Sequence, residues 1–227
     1  MRNTSLVRWV FATRNARLLW VGRLCTFLAE QLGEIALVWL AWELTRSSAQ
    51  VAFTLSLTRA PYCSLLWLAG IQSDRHSRQA IVTWSNLAGA GTAGLLCVLH
   101  VAELLSYPVL ALLAFVFSLS RAAEAPALSA QLPELVARDR ITDLNVVLDN
   151  TKRVGRLVAP LLASALLLVV ATPNLFAMSA AALLAMALCS WRMQPRARSP
   201  ATARRTLPEE MGEAWQALTR DRTLFLL

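Results

Sequence analysis

Glu30 and Glu34 stand one helical turn apart inside a long apolar run. Side chains at i and i+4 share a helix face. An ionisable group left unpaired in hydrocarbon costs at least about 2.5–3.5 kcal/mol, so such residues hold a substrate, carry a proton or pair with an opposite charge. Glu30 and Glu34 are suited to proton coupling or to binding a cationic substrate. Glu34 has a structural alternative, an ion pair with Arg59 in the next run. Gly33 beside Glu34 leaves room there for a ligand. Arg121 and Glu124, at i and i+3, form a second set able to pair with each other. In the fifth run Asp149 can pair with Lys152 and Arg153, and Arg156, one turn deeper, either snorkels to the surface or lines a cavity.

Other chemistries find no support. There is no Gly-rich phosphate loop ending in Lys-Ser/Thr, no Gly-x-Ser-x-Gly and no His-Glu pair at helical spacing, so we expect no enzyme and no cofactor. His76 and His100 have no ligand partner nearby in sequence, which argues against a metal site. Cys25, Cys63, Cys97 and Cys189 all fall within apolar runs, where single cysteines pack as small hydrophobes.

The elements that must position these residues follow from hydropathy. The chain has 227 residues, 56% of them hydrophobic, with its charges gathered in short clusters. That composition describes an all-α polytopic membrane protein. Residues 1–17 form an amphipathic lead-in, 18–193 a bundle of six transmembrane helices, and 194–227 a Pro- and Arg-rich linker followed by a short amphipathic helix from Pro208. The spans run roughly over residues 18–44, 49–71, 80–101, 108–128, 146–171 and 175–193, with residues 133–145 as a polar inner loop and Thr172-Pro173-Asn174 as a turn. The net charge is +8, and 21 of the 22 basic residues are Arg. These flank the spans instead of forming one patch, so they orient the chain in a membrane and do not signal nucleic acid. Segments on one side hold Arg14, Arg17, Arg75, Arg78, Arg138, Arg140, Arg192, Arg196, Arg198, Arg204 and Arg205, while the opposite loops hold only Arg46. The positive-inside rule then places both termini in the cytoplasm.

Between the second and third spans lies Gly70-Ile-Gln-Ser-Asp74-Arg75-His-Ser-Arg78-Gln79, which reads as a tight charged turn with Gly70 ending the second span. Any two membrane helices need a polar turn. This one, with Gly70, Asp74, Arg75 and Arg78, resembles the signature loop of the major facilitator superfamily. It departs at Ser77, where that family has Gly, and at Gln79, where it has a basic residue. Gly155-Arg-Leu-Val-Ala159-Pro160-Leu-Leu-Ala163-Ser164 is similar to the family's exporter motif, with small residues in place of several glycines. Small residues at this spacing let helices pack closely, and Pro160 bends the helix. Leu32-Gly33-Glu34, Arg59-Ala60-Pro61 and Leu132-Pro133-Glu134 resemble the multidrug and enterobactin-type exporters of the superfamily.

The resemblance implies two six-helix halves, each built of inverted three-helix repeats, working by proton-coupled alternating access. In that scheme Asp74 and its basic neighbours latch one side against the other half. The chain then reads as an N-terminal half ending at the start of a truncated seventh helix. The expected function is efflux of small amphiphilic molecules of drug or siderophore type, at the bacterial inner membrane. Expected partners are membrane lipid, the small-molecule substrate and a second half-transporter chain or homodimer. The alternative is a non-transporting membrane interaction protein or transporter remnant.

Overall fold

The computed structural model describes residues 9–75 and 77–194; the side chains of residues 63–75 and of Arg138 lie outside that description. Six long helices make up nearly all of it: α1 (Arg14–Thr45), α2 (Ser48–Arg75), α3 (Arg78–Val101), α4 (Tyr107–Leu135), α5 (Ile141–Val169) and α6 (Thr172–Arg192), with a 3-10 turn at Arg138–Arg140. No strand occurs among the described residues. The linker and amphipathic segment expected beyond Gln194, and residues 1–8 of the lead-in, lie outside the described residues.

Local chemistry sets the helix ends. α1 stops where Arg46 enters the left-handed region (φ 52°, ψ 24°), its N–H donating to the Trp42 carbonyl at 2.8 Å. Ser77 caps α3, its hydroxyl accepting from the Ala80 N–H at 3.2 Å. Pro108 and Pro173 sit in the first turns of α4 and α6, where a missing N–H costs nothing because no carbonyl precedes it in the helix.

Three expected boundaries are corrected. The backbone stays helical through Gly70, Asp74 and Arg75, so the second helix does not end at Gly70 but runs to Arg75, and the third begins at Arg78. Residues 133–135 belong to α4 and 141–145 to α5, which shortens the polar loop to a 3-10 turn with two residues before it. Thr172-Pro173-Asn174 is the first turn of α6. Apolarity marks where hydrocarbon begins, and a helix continues past that point if its hydrogen bonds do.

α1, α3, α4 and α6 are long and apolar enough to cross a membrane. α2 and α5 are more polar: α2 carries Thr54, Thr58 and Arg59, and α5 carries Asp149, Lys152, Arg153 and Arg156. The closest pairings are α3 with α6, α1 with α6, α3 with α4, α2 with α4 and α1 with α5. Lipid tails are as apolar as Leu, so these contacts draw on van der Waals packing and small residues more than on escape from water. Gly22 is such a point, because a Cβ there would run into Met186 of α6. Two buried clusters result. One centres on Leu37, Leu40, Leu96, Leu110, Leu175 and Phe176; the other on Leu19, Val82, Leu128, Leu144 and Met186, near the end where α1 begins.

Candidate functional site

α1, α2, α4 and α5 line a half-open cavity of about 1400 Å³. Its lining on α1 reaches from Arg23 to Trp42, a rise of about 29 Å at 1.5 Å per residue, which matches the hydrocarbon thickness of a bilayer. Apolar walls come from Phe27, Leu37, Leu55, Phe117 and Leu167. Into them project five cations, Arg23, Arg59, Arg121, Lys152 and Arg156, and three carboxylates, Glu30, Glu34 and Glu124. The sequence candidates Glu30, Glu34, Arg59, Arg121 and Glu124 therefore meet in one space, although they come from three helices.

The charges are arranged in layers. Deepest is Glu124, almost wholly buried, with its Oε2 2.6 Å from Arg121 Nη1 and its Oε1 3.7 Å from Arg23 Nη1 on α1. Arg121 is also buried. It donates from Nη1 to Asn86 Oδ1 and from Nη2 to the Ser85 carbonyl, both at 3.1 Å, so α3 holds the guanidinium from behind. Gly89 makes room for it, since a Cβ there would lie 3.2 Å from Arg121 Nη2. One layer on, Arg59 of α2 is bonded to Glu34 of α1, which is the structural alternative foreseen for Glu34. That pair is open: the Arg59 side chain is 64% exposed. Glu30 lies in the field of Glu124, Arg121, Arg23 and Lys152, and is the cavity carboxylate with no ion pair among the described residues.

Two expectations change. Gly33 does not leave room for a ligand. A Cβ there would sit 3.1 Å from the Phe117 ring, so the glycine serves the crossing of α1 over α4. Asp149 forms no ion pair with Lys152 or Arg153 among the described residues; Lys152 turns to the cavity, and Arg156 lines it as well.

Outside the cavity, Gly155 of the small-residue motif meets α1: a Cβ would come 2.5 Å from the Phe27 ring. Ala159 and Ala163 are buried on the same helix, and Pro160 lines the cavity. In the signature loop, Arg78 bonds to the Ala130 carbonyl and to Glu134 Oε1, the latter at 3.1 Å, tying α3 to the end of α4. The side chains of Asp74 and Arg75 lie outside the described residues. Both departures from the loop pattern have local roles. Ser77 is the α3 cap, and Gln79 Nε2 donates to the carbonyls of Ser190 at 2.6 Å and Met193 at 3.0 Å, closing the end of α6.

Sequence reasoning passed over Arg23, Asn86 and Tyr62. The available signal was a polar side chain inside an apolar run, which Asn86 gives plainly.

A membrane helix bundle with a charged internal cavity is a transporter-like architecture. Residues 9–222 match the transmembrane secretion effector family of the major facilitator superfamily, and the chain belongs to that family. Two proteins named macrolide efflux protein A, from Streptococcus pyogenes and from its serotype M6 strain ATCC BAA-946 / MGAS10394, are each 25% identical to it over 150 residues. The alignment covers 65% of this chain and 36% of each relative, so the chain matches little more than a third of their length.

Proposed function

We propose that this chain supplies one six-helix unit of an efflux transporter, and that the α1–α2–α4–α5 cavity is its substrate path. The observation that carries this reading is a 1400 Å³ cavity, as long as a bilayer is thick, that holds eight charged side chains between membrane helices. Its substrates are small amphiphilic molecules, for which the apolar walls and charged groups together are suited. The name of the Streptococcus pyogenes relatives supports export as the direction.

The unit consists of two inverted three-helix repeats, α1–α3 and α4–α6. The packing supports this: exchanging the repeats turns α1–α6 contact into α3–α4 contact and α1–α5 into α2–α4, and leaves α3–α6 unchanged. The α1–α2 contact has no equally close counterpart between α4 and α5. Both termini face the cytoplasm of a bacterial inner membrane, on the side of Arg78 and Arg192. A second six-helix unit, in continuous chain or as another copy, completes the path. The Asp74–Arg75–Arg78 loop closes the cytoplasmic side against it. Transport is coupled to protons through Glu30, the carboxylate free to change charge without breaking an ion pair.

Cells lacking their own broad exporters would be made to produce the chain, alone and with a complementary six-helix unit, and loaded with a fluorescent amphiphile. The proposal expects lower steady-state accumulation that Glu30→Gln abolishes. Equal accumulation with and without the protein in both arrangements refutes it, and leaves a membrane interaction protein as the reading.

A further inference from the structure

The charges in the cavity do not balance: five cations face three carboxylates, and the two cations with no ion pair among the described residues both stand on α5. Glu34 is matched by Arg59, and Glu124 is shared by Arg121 and Arg23. On α5, Lys152 and Arg156 stand one turn apart on one face, line the cavity and are exposed to it. Neither forms an ion pair among the described residues; Lys152 lies within the field that acts on Glu30. Two neighbouring cations between membrane helices are costly without a counter-charge. Phe27 lines the same cavity.

We infer that the cavity takes an amphiphile with an acidic headgroup, held at Lys152 and Arg156 with its apolar body against Phe27, Tyr62 and Phe117. A guanidinium and an ammonium one turn apart suit a carboxylate, sulfonate or phosphate, the guanidinium by paired hydrogen bonds and the ammonium as a point charge. A cationic amphiphile would meet five cations against three carboxylates, two of those carboxylates already in ion pairs. The inference rests on the reading of the cavity as a substrate path. It narrows the class from amphiphiles in general to anionic ones.

The test uses the 227-residue chain in phosphatidylcholine nanodiscs, with two dyes as probes: anionic 1-anilinonaphthalene-8-sulfonate and cationic ethidium. Lys152→Gln/Arg156→Gln should weaken the anionic dye at least about tenfold, the loss expected when bonds to charged groups are removed. Ethidium binding should be unchanged or stronger. Both residues are exposed, so the variant should keep its elution volume and melting temperature. Equal affinity of both forms for the anionic dye overturns the inference. So does a wild-type preference for ethidium that Glu30→Gln removes, although the substrate path then survives. If neither dye binds saturably, both the inference and the substrate path are overturned. Replacing part of the lipid by phosphatidylglycerol separates two sources of the same chemistry. Competition with the anionic dye identifies a lipid headgroup as the occupant, and its absence a soluble amphiphile.

Discussion

Glu124 of α4 and Arg23 of α1 face each other at 3.7 Å, while the same carboxylate holds Arg121 at 2.6 Å on its own helix. One buried carboxylate thus serves two guanidinium groups and joins α1 to α4 in the cavity wall. Removing one partner of a buried pair leaves the other uncompensated, which typically costs about 3–5 kcal/mol. Glu124→Gln should therefore lower thermal stability in detergent by about that amount. Adding Arg121→Leu should recover part of the loss, since the deepest unpaired cation is then gone. Unchanged melting of Glu124→Gln would show that the triad does not hold the bundle.

The pair of Arg59 and Glu34 should behave differently. Its geometry is direct, but the guanidinium is 64% exposed, so much of the interaction is screened. Exposed pairs contribute about 0–1 kcal/mol. Glu34→Gln and Arg59→Gln should each destabilise by no more than about that amount, and a double-mutant cycle should return a coupling in the same range. A coupling several times larger would mean that the cavity mouth is drier than its exposure indicates.

How much of this was legible in the sequence depended on whether an interaction was local. The apolar runs located all six helices, and the i, i+3 spacing foretold the contact of Arg121 with Glu124. The pairing of Glu34 with Arg59 was foreseen as an alternative, because two charges in adjacent spans have few other places to go. Arg23, Asn86 and the α1–α4 packing of Gly33 needed the rotation of one helix against another, which no single run encodes. The ends of α2 and α4 were misjudged because Asp74, Arg75, Pro133 and Glu134 look like loop residues once a helix leaves hydrocarbon. The side chains of the signature loop's Asp74 and Arg75 lie outside the described residues.

Gly155 gives a packing prediction. Gly155→Ala would place a methyl 2.5 Å from the Phe27 ring, and overpacking of this kind costs about 1–3 kcal/mol. Phe27→Leu in the same background should relieve part of it. Stability equal to wild type in Gly155→Ala would mean that α1 and α5 separate easily, and that the small-residue motif is not a fixed crossing.

Gln79 tests whether the loop tolerates its family's usual chemistry. Gln79→Leu removes the donor that closes the end of α6 and should cost about 1 kcal/mol. Gln79→Arg keeps a donor within reach of the same carbonyls and should melt close to wild type. If both substitutions are equally destabilising, the amide is needed for its shape and not for its hydrogen bonds.

The account stands or falls on whether the charged cavity is a wet path inside the membrane. Ala125 on α4 lines that cavity; Ala88 on α3 is also exposed but does not line it. Each would be changed to Cys in a chain whose four native cysteines are replaced by Ser or Ala, then treated in membranes with a charged, membrane-impermeant thiosulfonate. Ala125→Cys should label rapidly, and an amphiphile that fills the cavity should protect it; Ala88→Cys, outside the cavity on an apolar span, should not label. Equal labelling at the two positions, or none at Ala125→Cys from either side of the membrane, would contradict the account.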